Sequence, residues 1–248
     1  PKDFEQIFKN TVIKKIQRKS KYLILVFDNH LYCVVHLGMS GTLHFIGLKK
    51  KTTNLSFYGS QSLPKKHNHI IFRFKNFKLI YNDPRRFGFF KILKNKKDYL
   101  KFFTRIGPEA ISKDFNKKYL DKILKNRTKN IKNLLLDQKL VSGLGNIYVN
   151  EILFQAKINP FRKSFLINLD ENKRIVKYSK IILKKAIHFG GSSIRDFKGI
   201  TGKSGNFQSE FKVYDRAKKR CSRNNCFGQI SRKIISNRST FICSVCQK

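Results

Sequence analysis

Four cysteines fall within the last 28 residues, Cys221 and Cys226 as one pair and Cys243 and Cys246 as the other, with sixteen residues between the pairs. Two short Cys-to-Cys loops can each present two thiolates to one tetrahedral Zn²⁺. A tail this short buries little apolar surface, so metal binding would supply its folding free energy. The first pair is C-x4-C rather than C-x2-C, a loop length that zinc sites accept. The same residues could instead form two disulfides or stay as unligated thiols, but nothing in the sequence marks a secreted chain. Residues 211–248 also hold ten Lys/Arg against a single acid, Asp215. A zinc knuckle this basic points to a nucleic-acid contact.

The charge extends over the whole chain. Fifty-four Lys+Arg stand against 15 Asp+Glu, a formal net charge of +39 over 248 residues. Such a field calls for a polyanionic partner: DNA, RNA or an anionic membrane surface. With 40% hydrophobic residues and 23 Phe, the chain can still build a core, so the charge does not imply disorder. Lys, Asn, Ile and Phe are all abundant, as AT-rich coding would produce, so charge alone is weak evidence. No apolar run approaches the length of a membrane-spanning helix, and no signal peptide is visible. Cys33, flanked by Tyr32, Val34 and Val35, is expected as a buried thiol.

Residues 11–94 read mostly as strands. The runs at 22–27, 31–36, 69–74 and 77–81 are β-branched or aromatic, and Asp28-Asn29, Gly38, Lys75-Asn76 and Asp83-Pro84 punctuate them. They predict an antiparallel sheet folded as a sandwich. Residues 46–66 read as a basic, mobile connection. Gly107-Pro108 marks a boundary, after which helical patterns follow at about 116–126, 128–138, 146–156 and 171–189, the last stopped at Gly190-Gly191. Residues 195–210 read as a Gly-, Ser- and Lys-rich flexible loop. The expected organisation is α+β and multidomain: a β-sandwich over 1–104, a helical domain over 105–210 and a zinc finger over 211–248.

Several motifs stand in order along the chain: Lys19-Ser20-Lys21-Tyr22, His36-Leu-Gly-Met-Ser-Gly41, Lys66-His-Asn-His69, Asp83-Pro-Arg-Arg-Phe-Gly88, Gly143-Leu-Gly-Asn-Ile-Tyr148 with Glu151, Gly190-Gly-Ser-Ser193, and Asn237-Arg-Ser-Thr-Phe241 inside the knuckle. Taken together they resemble the formamidopyrimidine-DNA glycosylases over nearly all of the chain. The resemblance implies an N-terminal β-sandwich, a helix–two-turn–helix domain and a four-Cys zinc finger holding one structural Zn²⁺. Duplex DNA lies between the two halves of such enzymes. The damaged base is flipped out, because its glycosidic bond cannot be reached inside the stack.

The resemblance also implies roles for individual residues. Met39, Arg85 and Phe87 would fill the void that the flipped base leaves, with Arg86 beside them on the same turn. His67, Arg127 and Asn146 would hold phosphates, Asn146 at the start of a helix where it could equally be a plain N-cap. Lys21 and Arg238 would act near the lesion and in strand cleavage, and Lys132 would reach the DNA from its helix. In a chain this rich in lysine, Lys21 could be a plain surface cation, and Phe87 one more core ring. Residues 195–210 would close over the everted base.

The implied function is base-excision repair: removal of 8-oxoguanine and formamidopyrimidines from damaged double-stranded DNA. The sugar would pass through a Schiff base, and β/δ-elimination would then cut the strand. The protein would work as a bacterial cytoplasmic, nucleoid-associated monomer with no membrane partner. A sister family acting on oxidised pyrimidines shares the zinc finger and the Asn turn, but Arg85-Arg86-Phe87 favours the purine branch. Family members open Pro-Glu-Leu-Pro-Glu, whereas residues 1–5 here are Pro-Lys-Asp-Phe-Glu. The resemblance therefore places the nucleophile segment upstream of residue 1, and Pro1 receives no catalytic role. The alternative is a damaged-DNA-binding protein without catalysis.

Overall fold

The computed structural model describes residues 4–47, 64–192 and 205–248, with the backbone of Thr52 and Thr53. The chain folds as two compact units, one within Pro1–Arg105 and the other comprising Ile106–Ser193 and Gly205–Lys248.

The first unit holds α1 (Phe4–Phe8), β1 (Ile13–Lys19), β2 (Tyr22–Phe27), β3 (Tyr32–His36), β4 (Thr42–Gly47), β5 (Thr52–Thr53), β6 (Asn68–Arg73), β7 (Phe77–Asn82), β8 (Phe89–Leu93) and α2 (Lys96–Phe103). Two four-stranded antiparallel sheets result, ordered β1-β2-β3-β8 and β5-β4-β7-β6. Rings fill the space between them: Phe90 of the first sheet lies 4.9 Å from Tyr81 and 6.0 Å from Phe72 of the second. Leu25, Phe27, Cys33 and Val35 complete that layer, and Phe8 of α1 packs onto Phe27. This is the expected sandwich, and Cys33 is the expected buried thiol. β2 and β3 do not alternate in polarity because their other face is covered as well. Ile24 and Val34 are fully buried there, and Phe102 and Phe103 of α2 pack edge-on against Tyr22.

Two chain crossings between the sheets form one corner of the sandwich. Residues 37–41 carry the chain from β3 to β4, and residues 83–88 carry it back from β7 to β8. The register pairs His36 with Phe89 and Thr42 with Asn82, so both crossings leave the same end, side by side. The stretch expected as a mobile connection over 46–66 is more structured at its ends: Thr52 and Thr53 pair with β4, and Lys65–His67 forms a 3-10 turn. Residues 48–51 and 54–63 lie outside the described residues.

The second unit contains α3 (Lys117–Leu124), α4 (Ile131–Leu136), α5 (Asn146–Gln155), α6 (Leu169–His188) and a two-stranded ribbon, β9 (Ile230–Ile235) and β10 (Arg238–Cys243). Asn116, Asn130 and Asn168 cap α3, α4 and α6, the last in a full capping box with Glu171. Between α4 and α5, Gln138 accepts from the Gly143 N–H and donates to the carbonyls of Leu136 and Leu144, fixing both turns. Ile131, Leu134, Leu135, Leu144, Ile152 and Leu153 are wholly buried, each contributing about 1.5–3 kcal/mol of apolar burial. Phe154 of α5 belongs to the core of the ribbon, with Val213, Ile230 and Phe241, so helices and ribbon share one interior. Of the Gly-rich loop expected over 195–210, Phe207–Glu210 is a 3-10 turn; residues 193–204, which hold Ser193 of the Gly-Gly-Ser-Ser motif, lie outside the described residues.

Candidate nucleic-acid interface and metal centre

Asp83 organises the corner of the sandwich. Its carboxylate is fully buried. One oxygen accepts from the Ser40 hydroxyl at 2.5 Å and the Arg85 N–H at 3.2 Å, the other from the Tyr81 hydroxyl at 2.8 Å and the Gly88 N–H at 2.9 Å. Burial would raise its pKa, but these four donors outweigh it and hold the carboxyl at about 2. The donors come from both crossings, so one anion stitches them together. Gly88 permits the approach: a Cβ there would stand 1.9 Å from the Tyr81 oxygen. The sequence shows Asp83 in a turn dipeptide and at the head of the Asp83–Gly88 motif, without a role of its own. Its buried role depends on Ser40, 43 residues earlier, and no local pattern reports that.

The frame displays apolar and cationic groups outward. Met39 is 66% exposed and Phe87 55% exposed, unusual for side chains this apolar. The Arg85 guanidinium lies over the Phe87 ring, 4.6 Å from its centroid. Arg86 adopts a φ of +56°, a left-handed conformation that costs a non-glycine residue on the order of 1 kcal/mol. Lys21 is exposed in the tight turn from β1 to β2, next to Tyr22, whose ring lies 5.1 Å from His36. His67 ends the 3-10 turn before β6, and its carbonyl accepts from the Asp83 N–H. The first unit thus brings Lys21, Met39, His67, Arg85, Arg86 and Phe87 to one end of the sandwich.

In the second unit, Asn146 and Lys132 converge on the ribbon. The Asn146 side-chain amide donates to the Ser239 carbonyl at 3.0 Å, and the Lys132 ammonium donates to the same carbonyl at 2.9 Å and to the Thr240 hydroxyl at 2.8 Å. Arg238, exposed, is the next residue along. Two expectations change here. Lys132, expected among the DNA contacts, is completely buried and occupied by the ribbon backbone. Desolvation, then the charge of Arg238, lowers its pKa to about 8. Asn146 is not the N-cap of α5: Gly145 holds that position and offers no side-chain cap, which leaves the first-turn N–H groups of α5 without an intrahelical or capping partner. Arg127 is exposed in the turn after α3, with no side-chain hydrogen bond or ion pair among the described residues. Sequence reading assigned no role to Asn150, whose Oδ1 accepts from the Phe241 N–H, and only quoted Glu151, whose buried carboxylate accepts from the N–H groups of Lys212, Val213 and Tyr214.

The four tail cysteines meet. Their Sγ atoms all lie within 4.8 Å of one another, with Cys221–Cys246 at 3.8 Å and Cys226–Cys243 at 3.6 Å. Tetrahedral Zn–S bonds of about 2.3 Å put neighbouring sulfurs about 3.8 Å apart, so the set fits a zinc ion. Disulfides, with sulfurs about 2.05 Å apart, do not fit, and all four thiols are free. The four cysteines therefore form a zinc-finger type of cluster.

A sandwich with an apolar and cationic corner, joined in one chain to a helix–turn–turn–helix unit with a four-thiol ribbon, defines a two-unit DNA-glycosylase architecture. Residues 1–90 match the formamidopyrimidine-DNA glycosylase N-terminal domain and residues 106–198 the H2TH domain of the same glycosylase. The chain is 40% identical over 238 residues to the formamidopyrimidine-DNA glycosylase of Roseobacter denitrificans, covering 95% of this chain and 83% of that protein. It is 37% identical over 250 residues to the enzyme of Phenylobacterium zucineum, covering 100% and 87%. Among solved structures it resembles the Lactococcus lactis Fpg in complex with DNA containing an abasic site, at 34% identity and a TM-score of 0.84, over 99% of this chain and 86% of that one. The wild-type Lactococcus lactis Fpg bound to N7-benzyl-Fapy-dG containing DNA gives a TM-score of 0.83. The chain belongs to the formamidopyrimidine-DNA glycosylase family. These relatives carry the enzyme's name, which supports catalysis over a damaged-DNA-binding protein without it.

Proposed function

We propose that this protein removes oxidised purines, 8-oxoguanine and formamidopyrimidines, from damaged double-stranded DNA in base-excision repair. The observation that supports this most is the Asp83 corner: Met39, Arg85 and Phe87 project from a frame too rigid to collapse onto them. A flipped base leaves a gap in the stack that an apolar wedge, a ring and a cation facing the orphaned partner would fill. Arg86 and His67 would steady the neighbouring backbone, and Lys21 would meet the phosphate beside the lesion. The uncapped start of α5 at Asn146 would bind a second phosphate through its N–H groups. Arg238 would clamp another with its fork of donors, and Arg127 would add an outlying contact. Buried Lys132 would fix the Ser239–Thr240 backbone that carries Arg238.

The chemistry follows the family route. An amine attacks C1′ of the sugar and the base leaves with the glycosidic electron pair and a proton; the C1′–O4′ bond then opens, O4′ takes up a proton, and an iminium links protein to sugar. Loss of a C2′ proton then expels the 3′ phosphate, and a second elimination can expel the 5′ phosphate. In the family the amine is an N-terminal proline; Pro1, expected to have no catalytic role, lies outside the described residues.

One structural Zn²⁺ held by Cys221, Cys226, Cys243 and Cys246 would cross-link the ribbon. Thiolates of this kind persist in the bacterial cytoplasm, where the DNA substrate also lies, and the protein would act there at the nucleoid as a monomer. No helix among the described residues is long and apolar enough to cross a membrane, and no membrane partner is proposed.

The test is a duplex with 8-oxoguanine opposite cytosine, read for free base, strand nicking and a borohydride-trapped covalent complex. Base release confined to the lesion is expected. Tight binding to abasic duplex with neither release nor trapping would instead establish a binder without catalysis.

A further inference from the structure

His36 stands at the end of β3, where the chain turns into the crossing that carries Met39. Its Nδ1 lies 3.1 Å from the backbone nitrogen of Gly38. The N–H must meet an acceptor, so Nδ1 carries the lone pair and the ring proton sits on Nε2. Gly38 has φ +69°, and a Cβ there would lie 2.6 Å from the Phe87 carbonyl carbon and 2.7 Å from the Gly88 nitrogen. The two crossings therefore touch backbone to backbone at the residue that His36 holds. The imidazole is fixed in turn by its neighbours: it stacks on Phe89 with 14° between planes, and Tyr22 lies against it.

We propose that His36 is a positioning residue for the lesion-probing corner, holding the Met39 turn against the Phe87 turn only while its imidazole is neutral. The proposal rests on the reading of Met39 and Phe87 as void-filling groups. Protonation turns Nδ1 from acceptor to donor and sets N–H against N–H at Gly38, which releases the turn.

The surroundings favour the neutral ring. Burial, then the charge of Lys21, lowers the His36 pKa from its ordinary value. Three cations surround the cluster, Lys21 from the β1–β2 turn, Lys19 of β1 over the Phe103 ring and Lys91 of β8 over the Phe102 ring, and one anion, Asp83, accepts from the Gly88 N–H beside Gly38. Tyr22 from β2 and Phe89 from β8 meet the imidazole directly, while Phe102 and Phe103 of α2 pack behind Tyr22.

The test uses the full chain, wild type and two variants. His36→Asn keeps an acceptor oxygen near the place of Nδ1 without titrating. His36→Phe keeps the stack on Phe89 and loses the acceptor. The first readout is the ¹⁵N-glycine amide signal of Gly38 from pH 5 to 8; the second is the preference for a duplex with a tetrahydrofuran abasic analogue over undamaged duplex. In the wild type, the Gly38 signal should move with the His36 ring, and the preference should fall by about tenfold as the ring charges. H36N should hold both readouts constant with pH and keep the preference. H36F should lack the preference at every pH. A Gly38 amide indifferent to the titration of His36, or an H36F preference equal to wild type, overturns the proposal. If the wild type shows no abasic preference at any pH, the DNA-repair reading fails by itself, and the Gly38 amide still decides whether His36 holds the turn.

Discussion

The Ser40 hydroxyl donates to the Asp83 carboxylate at 2.5 Å, across 43 residues of chain. Through this bond and the bonds from Tyr81, Arg85 and Gly88, a single buried anion joins the two crossings of the sandwich. Side chains at the corner are exposed because its backbone is held elsewhere. Exposure of Met39 and Phe87 is thus compatible with a defined geometry, and a probe inserted into a base stack needs both.

Asp83 should carry an acid-sensitive part of the stability. Its pKa is held down from 3.8 to about 2. A depressed carboxylate stabilises the fold above its unfolded pKa, and that contribution is lost as pH falls from about 4 towards 2, on the order of 2 kcal/mol in all. Asp83→Asn leaves backbone N–H groups facing an amide and should cost about 1–3 kcal/mol at pH 7. Urea unfolding of both proteins at pH 7 and pH 2.5 checks this; the difference should shrink at the lower pH.

Phe87 should separate stability from recognition. Its ring is more than half exposed, with the Arg85 guanidinium over it. Phe87→Ala should change unfolding free energy by less than about 0.5 kcal/mol. Processing of 8-oxoguanine duplex should drop far more than binding to undamaged duplex. Equal losses in both assays would mean that the ring does not enter the stack.

Lys132 should titrate early. Its pKa is lowered to about 8, first by burial and then by Arg238. Because the unfolded chain holds this proton more tightly, the contribution of Lys132 to stability rises as pH climbs from about 8 to the ordinary lysine value near 10.4. The ¹³Cε signal of Lys132 should show a midpoint near 8, and Arg238→Ala should move that midpoint upward. A midpoint unchanged by Arg238→Ala would place the shift on burial alone.

Removing the metal should unfold more than the ribbon. Four thiolates brought within 4.8 Å without a cation repel, so chelation should melt β9 and β10. Asn146, Asn150 and Lys132 all bond to β10, and Phe154 lies in its core. Loss of protection should therefore spread into α4 and α5, as amide exchange before and after verified zinc removal would show, and DNA affinity should fall with it. Retained affinity in the stripped protein would separate binding from the ribbon.

How far the sequence reveals this protein depends on the range of the interactions. β2, β3, β6 and β7 are readable because β-branched and aromatic runs state a local preference. The cysteines are readable because two short loops and a ligand chemistry suffice. β1, Ile-Lys-Lys-Ile-Gln-Arg-Lys, is hidden as an edge strand whose outward side carries the chain's abundant cations. Lys132 reads as a DNA contact reaching from its helix because its actual partners, Ser239 and Thr240, lie more than a hundred residues away. Asn146 reads as a cap because Asn so often is one, and Gly145 takes that place only through the turn that Gln138 builds. Motifs mark the segments that hold Met39 and Phe87; only the His36–Phe89 and Thr42–Asn82 registers put those loops side by side.

The ribbon shows one more consequence of the helices behind it. A two-stranded hairpin has an outer row of backbone groups that could template a further strand and lead to aggregation. On β10 much of that row is taken: the Ser239 carbonyl by Asn146 and Lys132, the Phe241 N–H by Asn150, and the Cys243 N–H by the side chain of Gln247. The Cys243 carbonyl accepts from the Gln247 N–H. In a cell crowded with nascent chains, the groups so occupied cannot help two copies of the protein zip together along this strand.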